Sequence, residues 1–117
     1  MKRIVLVAAT LAIVSVAAPA IAADPLDDFA TKVRRTRDDL CPKQPYKAAQ
    51  RQCRFDFTYV SILANMAADK KIAIDLLRLT KGDTSKAELE QKNLIDKLKG
   101  ATKDLESKYS EAPSVPI

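Results

Sequence analysis

Residues 38–55 read DDLCPKQPYKAAQRQCRF and carry both cysteines of the chain, Cys41 and Cys53. Three chemistries use a pair of thiols. A zinc site needs four protein ligands, or three and an open position, and this chain has no third cysteine and no histidine. A catalytic dithiol sets its cysteines at C-x-x-C spacing, whereas these stand twelve positions apart. A structural disulfide remains, and closing a loop of that size stabilises a fold by about 3 kcal/mol. Pro42 and Pro45 lie inside the loop, where each stops a helix. The staple therefore predicts a connection between two helices and fixes how they meet.

Both flanks of the loop read as helix. Upstream, Pro25 to Leu40 has Asp24 as N-cap and Pro25 at the first helical position. Leu26, Phe29, Ala30, Val33 and Leu40 share its apolar face, with Thr36 leaning that way and Arg37 interrupting it. Downstream, a long helix is expected from Lys47 to Lys81, ended by Gly82 as the C′ residue. At 100° per residue its broad apolar stripe takes in Phe55, Tyr59, Ile62, Leu63 and Met66, then Ala67, Ala73, Ile74 and Leu77. A third helix is expected from Ser85, where Ser85-Lys86-Ala87-Glu88 fits a capping box. Ala87, Leu94, Leu98, Ala101, Leu105 and Tyr109 line its face, with Ile95 at the edge and Gly100 weakening the middle. No stretch alternates like a strand, and short connections make neighbouring helices antiparallel. The fold class is all-α: a small three-helix antiparallel arrangement with a long central helix and one disulfide between helices 1 and 2. The helical domain is expected over residues 24–109, and a flexible C-terminal tail over 110–117.

The opening MKRIVLVAATLAIVSVAAPAIAAD has the three parts of a secretory signal peptide over residues 1–23. Lys2 and Arg3 are the positive end, an apolar run follows, and Ala20-Ile21-Ala22 is a small-x-small cleavage pattern. This form predicts a bacterial Sec-type signal and a periplasmic or secreted protein, a compartment that also favours disulfides. The segment takes two of the 20 Lys and Arg and none of the 15 Asp and Glu, so its removal lowers the net charge from +5 to +3. So mild a balance, in that compartment, argues against a nucleic-acid partner.

Catalysis finds little footing. There is no histidine to act as a base near pH 7, no Gly-rich phosphate loop and no G-x-S-x-G elbow. Asp27-Asp28 and Asp38-Asp39 are sequence neighbours, which point about 100° apart on a helix and do not share a site. No cofactor and no metal is expected. Lys32, Arg34, Arg35 and Arg37, with Arg51 and Arg54 near the stapled loop, are candidates for a basic patch. Such a patch suits weak contact with an anionic membrane surface or an acidic partner; a solvated face balanced by the Asp pairs is the plainer reading. Asp56 and Lys70 fall within the apolar arc of the long helix, either at its edge or paired, with Arg37 and an acid of the third helix as partners.

The long helix has one more irregularity. Ile72, Leu76 and Leu79 follow i, i+4, i+7 on the side away from the main stripe, whereas Arg54, Thr58, Ser61 and Asn65 upstream on that side are polar. A helix apolar all round needs cover on both sides. Ile72, Leu76 and Leu79 are therefore interface candidates, for self-association or a protein partner in the cell envelope, unless the third helix or the tail wraps them. The function expected is a small interaction module, such as an adaptor, an inhibitor or immunity protein, or an accessory factor of an envelope assembly such as a secretion or conjugation apparatus. The alternatives are a periplasmic chaperone holding unfolded clients on that patch, and a lipid- or small-ligand-binding module.

Overall fold

The computed structural model describes residues 24–117, so the segment read as a signal peptide, 1–23, lies outside the described residues. Three helices follow in order: α1 (Pro25–Leu40), α2 (Lys47–Leu79) and α3 (Ser85–Lys108), with a short 3₁₀ turn over Cys41–Lys43. Among the described residues there is no strand. α1 begins as its sequence dictates: the Asp24 carboxylate accepts from the Leu26 N–H at 2.8 Å, with Pro25 at the first position.

Cys41 and Cys53 form the disulfide, joining the end of α1 to the second turn of α2. Both are fully buried. The Gln50 amide closes the loop from above by donating to the carbonyls of Pro42 and Gln44, at 3.3 and 3.0 Å. With its end pinned there, α1 runs back antiparallel to α2. Arg37 donates to the Thr58 hydroxyl at 3.0 Å. Further along, the Asn65 amide, oriented to satisfy both neighbours, donates to Asp27 and accepts from Arg34.

α3 returns along another flank of α2. Arg78 meets Glu88 at 2.8 Å, Lys70 meets Glu90 at 2.7 Å, and Asp56 meets Lys108 at 3.5 Å. The backbones of α1 and α3 do not meet among the described residues; each packs on α2. Leu26, Phe29, Ala30 and Val33 enter the core from α1, and Leu98 and Leu105 from α3. The Thr102 hydroxyl is buried beside them without a hydrogen-bond partner.

The buried face of α2 differs from the expected stripe. Leu63, Ala67 and Ile74 are buried, but Phe55, Tyr59, Ile62 and Met66 lie outside, 66, 45, 50 and 47% exposed. In their place Cys53, Phe57, Val60, Ala64 and Ala68 face inward, together with the Ser61 hydroxyl, which donates to the Thr58 carbonyl. Close packing of two flanking helices favours small side chains between them, so alanines displace the larger residues.

Both ends of the turn between α2 and α3 are also set differently. The left-handed residue after α2 is Lys81, φ 58°, and not Gly82. Lys81 N–H bonds to the Arg78 carbonyl and Gly82 N–H to that of Leu77, which is a Schellman motif with glycine at C″. Thr84 stands at the N-cap of α3 without a side-chain capping bond, and the Asp83 carboxylate before it accepts from both the backbone N–H and the hydroxyl of Ser85. These bonds hold Asp83 below the usual carboxylate range. Ser85 is thus the first helical residue, and Glu88 turns to Arg78 instead of closing a capping box.

Candidate interaction surface

The exposure of the α2 outer face follows from helix lengths. At 1.5 Å per residue α1 spans about 24 Å and α2 about 50 Å. Pinned at Cys53, α1 is exhausted near Asn65 and Asp69. There Asp27 is held above the usual carboxylate range by burial and by Asp24, Asp69 and Asp28, with Arg34 pulling against them. The last turns of α2 have α3 beside them and nothing on the α1 side. Ile72, Leu76 and Leu79 project from that uncovered side, 52, 58 and 80% exposed. Neither α3 nor the tail wraps them.

These three join the four displaced residues upstream. Phe55 and Tyr59 stack in parallel, their rings 6.5 Å apart. Ile62 and Met66 follow one and two turns on. α2 thus presents an apolar band from its third turn to its end, which past Asp69 turns by about 100° toward the α1 side. Tyr46, Leu89 and Ile117 are also exposed but stand singly, which is ordinary for a surface.

The edges of the band differ. On the α3 side its charges are paired. Asp56 accepts from Gln52 at 2.8 Å and from the Tyr109 hydroxyl at 3.4 Å, besides meeting Lys108. Lys70 meets Glu90 and holds its carboxyl below the usual range. The expected pairing of Lys70 with an acid of the third helix is therefore present, but Asp56 is paired with Lys108 and not with Arg37. On the α1 side the edge is cationic. Arg34 and Arg37 reach α2 at Asn65 and Thr58, and these two positions share one side of α2 with Arg51 and Arg54. Arg37 is tied to Asp38 at 3.0 Å.

The six basic residues do not gather as one patch. Lys32 lies about 200° around α1 from Arg34 and lines a depression with Pro113 and Pro116 of the tail. Arg35 is exposed, and Arg34 and Arg37 are half-buried against α2. Among the described residues no three side chains are grouped as metal ligands. The depression between α2 and α3 lined by Tyr59, Val60, Ala101 and Leu105 holds about 120 Å³, and the open one lined by Thr36, Leu40, Lys43 and Glu111 about 390 Å³.

Only the Ile72, Leu76 and Leu79 part of the band was legible beforehand. The signal for the rest lay in the spacing of Phe55, Tyr59, Ile62 and Met66, but a helix with apolar residues on several sides does not reveal which side is covered. The chain matches no family model, no curated protein and no solved structure. The disulfide is compatible with an extracytoplasmic protein, and no helix among the described residues is long and apolar enough to cross a membrane.

Proposed function

We propose that this protein is a small, non-catalytic interaction module of the bacterial periplasm or extracellular space, binding a protein partner through the apolar band of α2. One observation carries the reading: seven large apolar side chains are 45–80% exposed along a single helix. They present on the order of 700 Å² of side-chain surface, above the ~300–600 Å² of the largest apolar patch on an ordinary monomer. The signal-like residues 1–23 and the stapled cysteines support the compartment. An adaptor, an inhibitor or immunity protein, or an accessory factor of an envelope assembly all fit a small stapled scaffold with one apolar face.

The test is photo-crosslinking in living cells, with a photoreactive residue in place of Leu79 in the full-length chain. Capture of one dominant envelope protein, or of the protein itself, is the expected result. It should vanish when Ile72→Asp/Leu76→Asp is added to that chain, while the far-UV spectrum stays helical because both side chains are exposed. A broad spread of unrelated unfolded chains would replace this reading by a chaperone, and capture of nothing would overturn it.

A further inference from the structure

We infer that the partner on the α2 band is a second copy of this chain, packed α2 against α2 in antiparallel orientation. The inference rests on the proposed reading of the band as an interaction surface. It begins with spacing. Phe55, Tyr59, Ile62, Met66, Asp69, Ala73 and Leu76 step by 4, 3, 4, 3, 4 and 3 residues, which is the alternation that keeps a seam facing a second helix. This seam lies on the side of α2 turned away from the core.

The seam is complementary to itself when reversed. With a two-fold axis level with Ala64, Ile62 meets Met66 of the second copy on both sides of the axis. One layer further out, Tyr59 meets Asp69, so the only charge in the seam finds a phenol to donate to it. In the next layer Phe55, the most exposed residue of the seam's first half, meets Ala73. Ala73 lies in a shallow depression of about 260 Å³ with Met66, Asp69, Lys70 and Leu94. A large knob thus stands opposite the smallest residue of the seam. Leu76 meets Gln52. Ile72 and Leu79, one position off the seam, fall against Thr58 and the alkyl stem of Arg51.

Charge selects the orientation. Lys47, Arg51 and Arg54 crowd the first turns of α2; parallel packing would set two such groups side by side and align the helix dipoles, whereas antiparallel packing separates them by tens of ångströms. Arg34 of each copy, held at Asn65 near the axis, faces its counterpart, and each has Asp27 of its own chain nearby. The band offers on the order of 700 Å² per chain against the ~800 Å² per partner of a standard stable interface.

Sedimentation equilibrium of the disulfide-intact protein tests this. The expected mass is that of two chains, retained or strengthened on raising salt from about 0.05 to about 0.5 M, because salt screens the Arg34 pair and leaves apolar contacts intact. Ile62→Asp puts two carboxylates across the axis and should give one chain mass with an unchanged melting curve, since Ile62 is half exposed in the monomer. A photoreactive residue at Phe55 should crosslink to the peptide containing Ala73 of the other copy, and not to its own counterpart. A single-chain mass for the natural sequence, a dimer that survives Ile62→Asp, or a Phe55–Phe55 crosslink would each overturn the antiparallel dimer. If the natural chain is monomeric while Leu79 still captures one other protein in cells, the interaction reading stands and only the second copy is lost.

Discussion

Lys81 holds a backbone conformation that suits glycine, φ 58°, one position before a glycine that does not need it. An L-residue in the left-handed region costs roughly 1–2 kcal/mol, partly offset because glycine has more freedom to lose on folding. Lys81→Gly is therefore expected to raise stability by about 1 kcal/mol, read as a higher urea midpoint with an unchanged slope. The chain stops α2 with the Schellman bonds of Lys81 and Gly82, and the side chain at Lys81 contributes nothing to either bond. At this scale the sequence announces the type of event more surely than its register. Gly82 and Ser85 mark the turn between α2 and α3, yet both the left-handed position and the capping acceptor stand elsewhere than at these residues. Asp83 supplies the acceptor expected of Ser85 because an ionised carboxylate accepts more strongly than a hydroxyl, and it has both Ser85 donors within reach.

At the scale of elements, the disulfide determines where α1 lies on α2. Without it, α1 would be held by the packing of Leu26, Phe29, Ala30 and Val33 and by the polar contacts of Arg34 and Arg37. Replacing Cys41 and Cys53 together by alanine is expected to cost about 3 kcal/mol in the chain-entropy account, measured by urea unfolding against the oxidised protein. A cost near zero would mean that packing alone sets the α1 register. The bounds of α1, the long α2 and the return of α3 were all readable, because caps, prolines and a single-sided apolar face agree with one another there. The rotation of α2 was not. Its first two-thirds carry Phe55, Tyr59, Ile62 and Met66 on one side and Phe57, Val60, Ala64 and Ala68 on another, both at helical spacing. Side-chain size favours burying the first set, whereas helix-to-helix distance favours the second. The disulfide resolves the choice, since Cys53 shares its side of the helix with Phe57 and Val60, and the staple turns that side inward. The candidate surface escaped full detection for the same reason: half of it was assigned to the core.

At the scale of the whole molecule, the backbones of α1 and α3 do not meet among the described residues, and the chain that follows α3 bridges them alongside α2. Tyr109 leaves α3 with its ring 5.2 Å from that of Phe57. Its hydroxyl, raised above the usual tyrosine range by burial and then by Asp56, donates to that carboxylate. Beyond it, Glu111 lies beside Thr36 and Leu40, and Pro113 and Pro116 lie beside Pro25 and Phe29. The segment 110–117 therefore runs back along α1 from its C-terminal to its N-terminal end, with Ala112 and Val115 half-buried on the core. Its two prolines suit an extended strap, which needs fixed φ and few backbone donors. Deleting residues 111–117 while keeping Tyr109 would uncover the two apolar contacts and one flank of Phe29. At about 25 cal/mol per Å² this amounts to roughly 1–2 kcal/mol, to be read as a lower thermal midpoint and faster amide exchange in α1 than in α3. Such an asymmetric loss would identify the strap as the link that holds α1 to the rest of the fold alongside the disulfide. An unchanged midpoint with unchanged exchange would instead show that α2 alone holds both flanking helices, and that the segment contributes no stability where it lies.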